Sequence, residues 1–453
     1  MKIRDYIVNK KEKLSDVLIK IDKNEHGTIF IEDNSIIIGL ATDGDIRRKL
    51  IEENKLSIEI QDCMNKDFIY LLEKDATKEN ILKLLDTRIR IIPILNDMKH
   101  LISVVTKESL FWNEKEKVIS KAKSPVRISF AGGGTDLTTY FYEEGGAVLN
   151  ATINKFTHAI LEKRDDKKII INSNDLNKRI IFKDINEIKL NGELDLIKSV
   201  IKILNPEFGF ELITYSDVPP GSGLGGSAVL LSAIIGAFNN YKENKFNDYE
   251  IAELAFHAER VVMNLSGGWQ DQYATVFGGF NFIELKDREN IVNPLRINDD
   301  LINELEDSLI LCYTGINHNS GDIHDEQKEL MKNKLQKEYA ETAKNIAYEM
   351  KSKLLKGEID NFGELLGKAW STKKQFSPKI TNDYLDEIYE FAINNGAIGG
   401  KLLGAGSGGY YLLCVPTHKK LTLINALEMR DLKIETITFD SVGLRQWITK
   451  RKI

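Results

Sequence analysis

A run of glycines between a strand-like and a helix-like segment is the strongest chemical signal in this chain. Pro219-Pro220-Gly221-Ser222-Gly223-Leu224-Gly225-Gly226-Ser227-Ala228 follows the apolar stretch Phe210–Tyr215 and precedes the apolar stretch Val229–Asn239. Glycine amides at a helix N-terminus make an anion site, because unpaired N–H groups and the helix dipole point the same way. Ser227, at the helix start, could direct its hydroxyl at a phosphate or a metal ion. Two more glycine clusters carry polar residues. SPVRISFAGGGTDL (Ser124–Leu137) holds Arg127, Gly133, Gly134, Thr135 and Asp136 around a sharp turn. Asp136 could accept hydrogen bonds from sugar hydroxyls, and Arg127 could serve an anion. GGKLLGAGSGG (Gly399–Gly409), which includes Gly406, precedes the apolar stretch Tyr410–Val415. Taken singly, each cluster also reads as a tight turn or a flexible start to a helix.

Phosphoryl transfer needs phosphate charge cancelled, a metal held and an acceptor hydroxyl aligned. AFHAERVVMNLSGGWQDQ (Ala255–Gln272) supplies the acids. Apolar spacing at Ile251, Leu254, Ala255, Ala258 and Val262 predicts one helix over Ile251–Met263, with Glu259 on it. Asp271 follows 12 residues later, past the Ser266-Gly267-Gly268 break. The plainer readings are a surface salt bridge for Glu259 and a helix cap for Asp271. The glycine loop lacks the lysine of a GxxxxGK[ST] motif, and the acidic residue of a dinucleotide fold is also missing.

Together, and in this order, the three glycine motifs resemble those of the GHMP small-molecule kinases, over roughly residues 122–450. Pro220–Ala228 is similar to that family's P-x-x-x-G-L-G-[SG]-S-A phosphate loop, with Gly226 as the permitted variant. The resemblance implies an α/β (α+β) kinase of two lobes, expected over 124–300 and 301–453. It implies ATP as donor, with its phosphates on Pro220–Ala228. It further implies Mg²⁺ held by Ser227 and Glu259, and Asp271 orienting or deprotonating the acceptor hydroxyl.

The AGGGTDL form, with GGWQDQYATVFGG (Gly267–Gly279), is most similar to the D-glycero-D-manno-heptose 7-phosphate kinase branch. Such enzymes phosphorylate an anomeric hydroxyl to a 1,7-bisphosphate on the way to nucleotide-activated heptoses for surface polysaccharide. A sugar phosphate substrate needs cations: Arg127, Lys373, Lys374 and His318 are the candidates, and Gly133, Gly134, Thr135, Asp136 and Gly406 would complete the substrate site. Two alternatives stay open: a kinase of another sugar such as fucose or a hexose, and a nucleotide-sensing regulator with an inactive kinase lobe.

The first 115 residues read as an internal repeat, about 1–60 and 61–115. Helical LSDVLIKID (Leu14–Asp22) and ATKENILKLL (Ala76–Leu85) each precede two strand-like runs. TDGDI after the first pair and TKESL after the second begin 64 residues apart, at Thr42 and Thr106. One such unit cannot bury both its faces alone, so pairing is expected. The pattern resembles a tandem pair of CBS domains. That resemblance implies a regulatory or assembly role, an adenosine nucleotide or nucleotide sugar held by Thr42, Asp45 and Thr106, and a homodimer. Ser109 stands where the second repeat would carry its aspartate. Thr42 and Asp45 also fit a plain helix cap. Charged WNEKEKVISKAK (Trp112–Lys123) reads as a helical linker, its end at 116–123 separating the two regions.

Composition bounds the rest. The 453 residues suggest about three domains. Apolar residues at 42% and charged residues at 29% exclude wholesale disorder. With 62 Lys+Arg against 68 Asp+Glu, the net charge of −6 argues against nucleic acid as the main partner. Cys63, Cys312 and Cys414 lack metal or disulfide spacing, as expected in a reducing cytosol. Leu224–Phe238 is shorter than the ~20 residues of a membrane span, and the N-terminus lacks a leader-like apolar run. A cytoplasmic protein without a membrane partner is expected.

Overall fold

In the computed structural model the glycine loop joins the strand Phe210–Ser216 to the helix Gly226–Asn239. That helix is buried almost all round, as a helix apolar on every face must be. The structure describes residues 3–87, 89–107, 116–316, 326 and 333–452. They fall into two compact units, Met1–Glu116 with Lys452–Ile453, and Lys117–Arg451.

The larger unit holds two sheets. The first runs in the order 178–182, 169–173, 210–216, 146–163, 280–285, 290–294. The strand Glu116–Ala131 pairs antiparallel with Gly146–Lys163, and Arg445–Lys452 returns from the chain's end to pair with it. The region expected as a helical linker is therefore strand from Glu116 onward. Ser120, Ala122 and Ser124 are buried on one face, alternating with Lys121 and Lys123, which is the pattern of a half-buried strand.

The second sheet is antiparallel, in the order 399–402, 410–414, 309–313, 433–436. The helix Ile359–Lys374 lies close on the strand Gly399–Leu402. A Cβ on Gly399 would collide with the Gly363 carbonyl and sit 3.0 Å from the Gly367 amide. This approach of glycine backbone to glycine backbone brings the end of the helix, at Lys373, beside Lys401.

The smaller unit repeats one pattern twice. Ile7–Asn9 runs parallel to Thr28–Asp33, which runs antiparallel to Ile36–Thr42. Leu71–Leu72, Ile91–Leu95 and Leu101–Thr106 repeat that order and sense. Helices Leu14–Asn24 and Lys78–Leu85 precede the paired strands, and Tyr6, Phe30, Ile37, Ile91 and Leu95 form a core shared by both halves. Ser109 lies outside the described residues.

Candidate active site

A cavity of about 270 Å³ opens along the glycine loop. Pro220, Gly221, Ser222, Gly223, Gly225, Gly226 and Ser227 line it, with the more apolar end supplied by Leu176, Leu196, Val218 and Leu230. Gly223 has φ +80°, and a Cβ there would lie 2.6 Å from the Leu403 carbonyl oxygen. Gly225 caps the helix at φ +81° with no side chain bonded to the first amides. Those amides remain for a ligand. Leu224 and Ala228 differ from expectation: both are buried and do not line the cavity, Leu224 packing into the core beneath the loop and Ala228 lying within the buried helix.

Arg127 and Asp271 form the wall between this cavity and a second one. Arg127 donates from Nε to Asp271 Oδ1 at 2.8 Å and from Nη2 to Oδ2 at 2.7 Å. Its Nη1 donates to the Gly223 carbonyl at 2.6 Å. The guanidinium, expected to face substrate, is thus committed to Asp271 and the loop. A bidentate clamp of this kind fixes the plane of the carboxylate as well as its charge.

Glu259 is buried at 4% exposure. The single helix expected over Ile251–Met263 is an α-helix only to Phe256, then a π-helical turn over His257–Val262. Such widened turns re-aim side chains and recur at functional sites. Here the turn directs Glu259 to the phosphate-loop cavity, where it accepts from Gln272 Nε2 at 2.7 Å and bonds Ser227. Burial raises its pKa, opposed by Arg260. One carboxylate and one hydroxyl beside a phosphate cradle fit Mg²⁺, which takes few protein ligands and completes its shell with phosphates and water. Among the described residues no cluster of three or more His, Cys, Asp or Glu offers a metal cage instead.

The second cavity, about 60 Å³, is lined by Gly133, Gly134, Asp136, Gln270, Phe376, Lys373 and Lys401, with Arg127, Arg260 and Asp271. Asp136 accepts from the Gly134 amide at 3.0 Å and the Gln270 amide at 3.1 Å. Burial, then the Asp271 charge, pushes its carboxyl up. Lys373 is buried, donates to the carbonyls of Leu402 and Gly404, and has its pKa pulled down to about 7 by burial and then by Arg127. Lys401 is held well below the usual lysine range by burial, then by Lys373 and Arg127.

Three substrate candidates lie elsewhere. Thr135 turns its hydroxyl inward, donating to the Gly132 carbonyl at 2.8 Å. Gly406 packs on Ile380, where a Cβ would sit 2.8 Å from backbone; Gly404 and Ala405 line the cavities instead. Lys374, one residue round the helix from Lys373, pairs with Asp386 at 3.2 Å. His318 lies outside the described residues.

Lys401, Arg260, Gln270 and Gln272 were not singled out from the sequence. A lysine inside GGKLLGAG, ahead of an apolar strand, was the available signal for Lys401. Gly267 is the available signal for Arg260, since a Cβ there would collide with its guanidinium.

In the smaller unit Thr42 and Asp45 bond each other. The Asp45 amide donates to Thr42 Oγ1 at 3.3 Å and the Thr42 amide donates to Asp45 Oδ2 at 2.9 Å, a reciprocal helix cap. Arg48 also holds Asp45 at 2.5 Å. Thr106 is buried. Among the described residues no helix is long and apolar enough to cross a membrane.

A phosphate cradle and an acceptor cavity sharing one wall define a small-molecule phosphotransferase. Residues 195–279 match the GHMP kinases N terminal domain, and residues 350–424 match the GHMP kinases C terminal domain. The chain is 39% identical over 333 residues to the D-glycero-alpha-D-manno-heptose 7-phosphate kinase of Campylobacter jejuni, covering 72% of this chain and 98% of that protein. A crystal structure of a D-glycero-D-manno-heptose 1-phosphate kinase from Bacteroides thetaiotaomicron is 32% identical, with a TM-score of 0.60 over 72% of this chain and 98% of that one. The galactokinase of Lactococcus lactis, crystallised with galactose, shares the fold at a TM-score of 0.60 and 21% identity, over 74% of this chain and 96% of that one. The chain belongs to the GHMP kinases and is a sugar kinase of that family, whose members use ATP as phosphate donor.

Proposed function

We propose that this enzyme transfers the γ-phosphoryl group of ATP to the anomeric hydroxyl of D-glycero-D-manno-heptose 7-phosphate, giving the 1,7-bisphosphate and ADP. The observation that carries this reading is the acceptor cavity, where two buried lysines and Arg260 stand beside the braced Asp271. A neutral sugar would leave the two lysines and Arg260 to be offset only by Asp136, Asp271 and main-chain carbonyls, whereas a phosphate adds the charge that burial calls for. The heptose phosphate kinase relatives support the same substrate class. For fucose or an unphosphorylated hexose nothing in the cavity speaks as clearly. The inactive-lobe alternative is disfavoured because Ser227, Glu259 and Asp271 line one cavity together.

In this mechanism the loop amides and the Gly226–Asn239 helix start cradle the donor phosphates. Ser227 and Glu259 would hold Mg²⁺, which when bound cancels phosphate charge. Asp136 and Asp271 receive the sugar hydroxyls. Arg127 keeps Asp271 in one orientation, so the acceptor oxygen is aimed at the γ-phosphorus opposite the departing ADP oxygen. The hydroxyl proton leaves by way of Asp271 as the new P–O bond forms. The test is ADP production with ATP against paired sugars, each with and without its terminal phosphate. Turnover confined to the phosphorylated heptose is expected, and equal turnover of the neutral sugar would overturn the assignment.

We further infer that the N-terminal unit is a CBS-like pair with a regulatory or assembly role, supported by its twice-used sheet pattern. Thr42 and Asp45, bonded to each other, serve first as a helix cap there. Titrating the full chain with AMP, ATP and a nucleotide sugar, while following activity and sedimentation, tests both ligand and dimer. No response to any of them would refute the sensing role.

A further inference from the structure

Four cations line the acceptor cavity, and three of them are occupied by protein. Arg127 is bonded to Asp271 and Gly223. Arg260 donates to the Ser266 carbonyl at 2.8 Å and lies 3.4 Å from Glu259. Lys373 donates to the carbonyls of Leu402 and Gly404. Lys401 is different. It is 3% exposed, its side chain lines the cavity, and among the described residues it has no hydrogen-bond or ion-pair partner.

An unpaired ammonium is expensive to bury, and a second amine alongside raises the cost. The fold nevertheless brings the two together: glycine contacts hold the helix that carries Lys373 close on the strand that carries Lys401, and the charge of Lys373 bears on Lys401. An anion bound in the cavity offsets both costs at once. Lysine suits a phosphate here, since it acts as a point charge and needs no bidentate geometry.

We propose that Lys401 is the specificity residue for the phosphate the acceptor already carries, with Lys373 as the second cation of that subsite. This rests on the sugar-phosphate reading above and names the residue that enforces it.

The test measures kcat/KM for heptose 7-phosphate and for heptose lacking the phosphate, in the wild-type enzyme and in Lys401→Met. Losing one charge-assisted bond to the phosphate should lower the preference for the phosphorylated sugar about 100-fold. Equal losses on the two sugars would overturn the proposal. A wild-type enzyme that prefers the phosphorylated sugar while Lys401→Met keeps that preference refutes Lys401 alone. A wild-type enzyme without any preference refutes the sugar-phosphate reading itself. ATP affinity serves as the check that the variant folds. If it does not fold, inorganic phosphate decides in the wild-type enzyme: competition with heptose 7-phosphate supports the subsite, and competition with ATP alone contradicts it.

Discussion

The phosphate-loop cavity takes its largest single share of lining from one glycine-rich stretch of chain, Pro219 to Ser227, whereas the acceptor cavity is assembled from separate segments near residues 127, 136, 260, 271, 373 and 401. On the proposed reading the first would hold charge chiefly with main-chain amides. The second holds it with lysines and arginines whose meaning depends on what packs beside them. Arg127 and Asp271 belong to both, so they couple donor to acceptor. The difference teaches why nucleotide chemistry is fixed in the motif while substrate choice is free to vary around it.

The sharpest break of this arrangement is at the shared wall. Asp271→Asn should reduce turnover by about 10³-fold, in the usual range for a group that positions or takes a proton. ATP affinity, measured by calorimetry, should stay within about threefold, because donor phosphates rest on backbone. Loss of ATP binding instead would merge the two cavities into one functional unit.

On the donor side, Gly223→Ala adds a Cβ 2.6 Å from the Leu403 carbonyl at a left-handed φ of +80°. Strain of roughly 1–2 kcal/mol and a displaced loop should weaken ATP binding by about tenfold or more. Acceptor KM should change less than ATP affinity.

Lys373→Met should do the reverse, raising acceptor KM about tenfold through one lost charge interaction, with ATP KM little changed.

A smaller effect is thermal. Lys373 titrates at about 7 in the folded protein, against 10.5 for the ordinary side chain. Between these values the unfolded chain holds a proton the folded chain lacks, so stability rises with pH through that window. The melting point of the ligand-free protein should climb by about 2 °C from pH 7 to 9, and Lys373→Met should reduce that climb to the part Lys401 contributes.

The smallest effect is expected at the adjacent residue. Lys374 makes a partly exposed pair with Asp386, so Lys374→Ala should alter kinetics less than about twofold and stability by under about 1 kcal/mol. A large kinetic loss there would undo the distinction between the two lysines.

The same contrast explains what could be read from the sequence. The glycine loop and its helix are legible because a strand–loop–helix turn of this kind requires contiguous residues of unusual type, and the same cavity then gathers Glu259 and Asp271. The type of Arg127 announces an anion, and only the fold shows that Asp271 is one such partner while the residue also lines the acceptor cavity. Lys374 and Lys373 are indistinguishable in sequence, since helix rotation alone sends one to Asp386 and the other into the cavity. Lys401 is hidden because the residues that line its cavity with it lie in other segments. The strand at 116–123 was missed because alternation of buried and charged residues resembles a solvated helix when the neighbouring strand is unknown.

The most direct test of the account is ³¹P NMR of the enzyme with ATP, Mg²⁺ and D-glycero-D-manno-heptose 7-phosphate. The account predicts a new anomeric phosphate resonance growing in step with ADP. ADP without a new sugar resonance, or the same rate with the sugar lacking its phosphate, would contradict it.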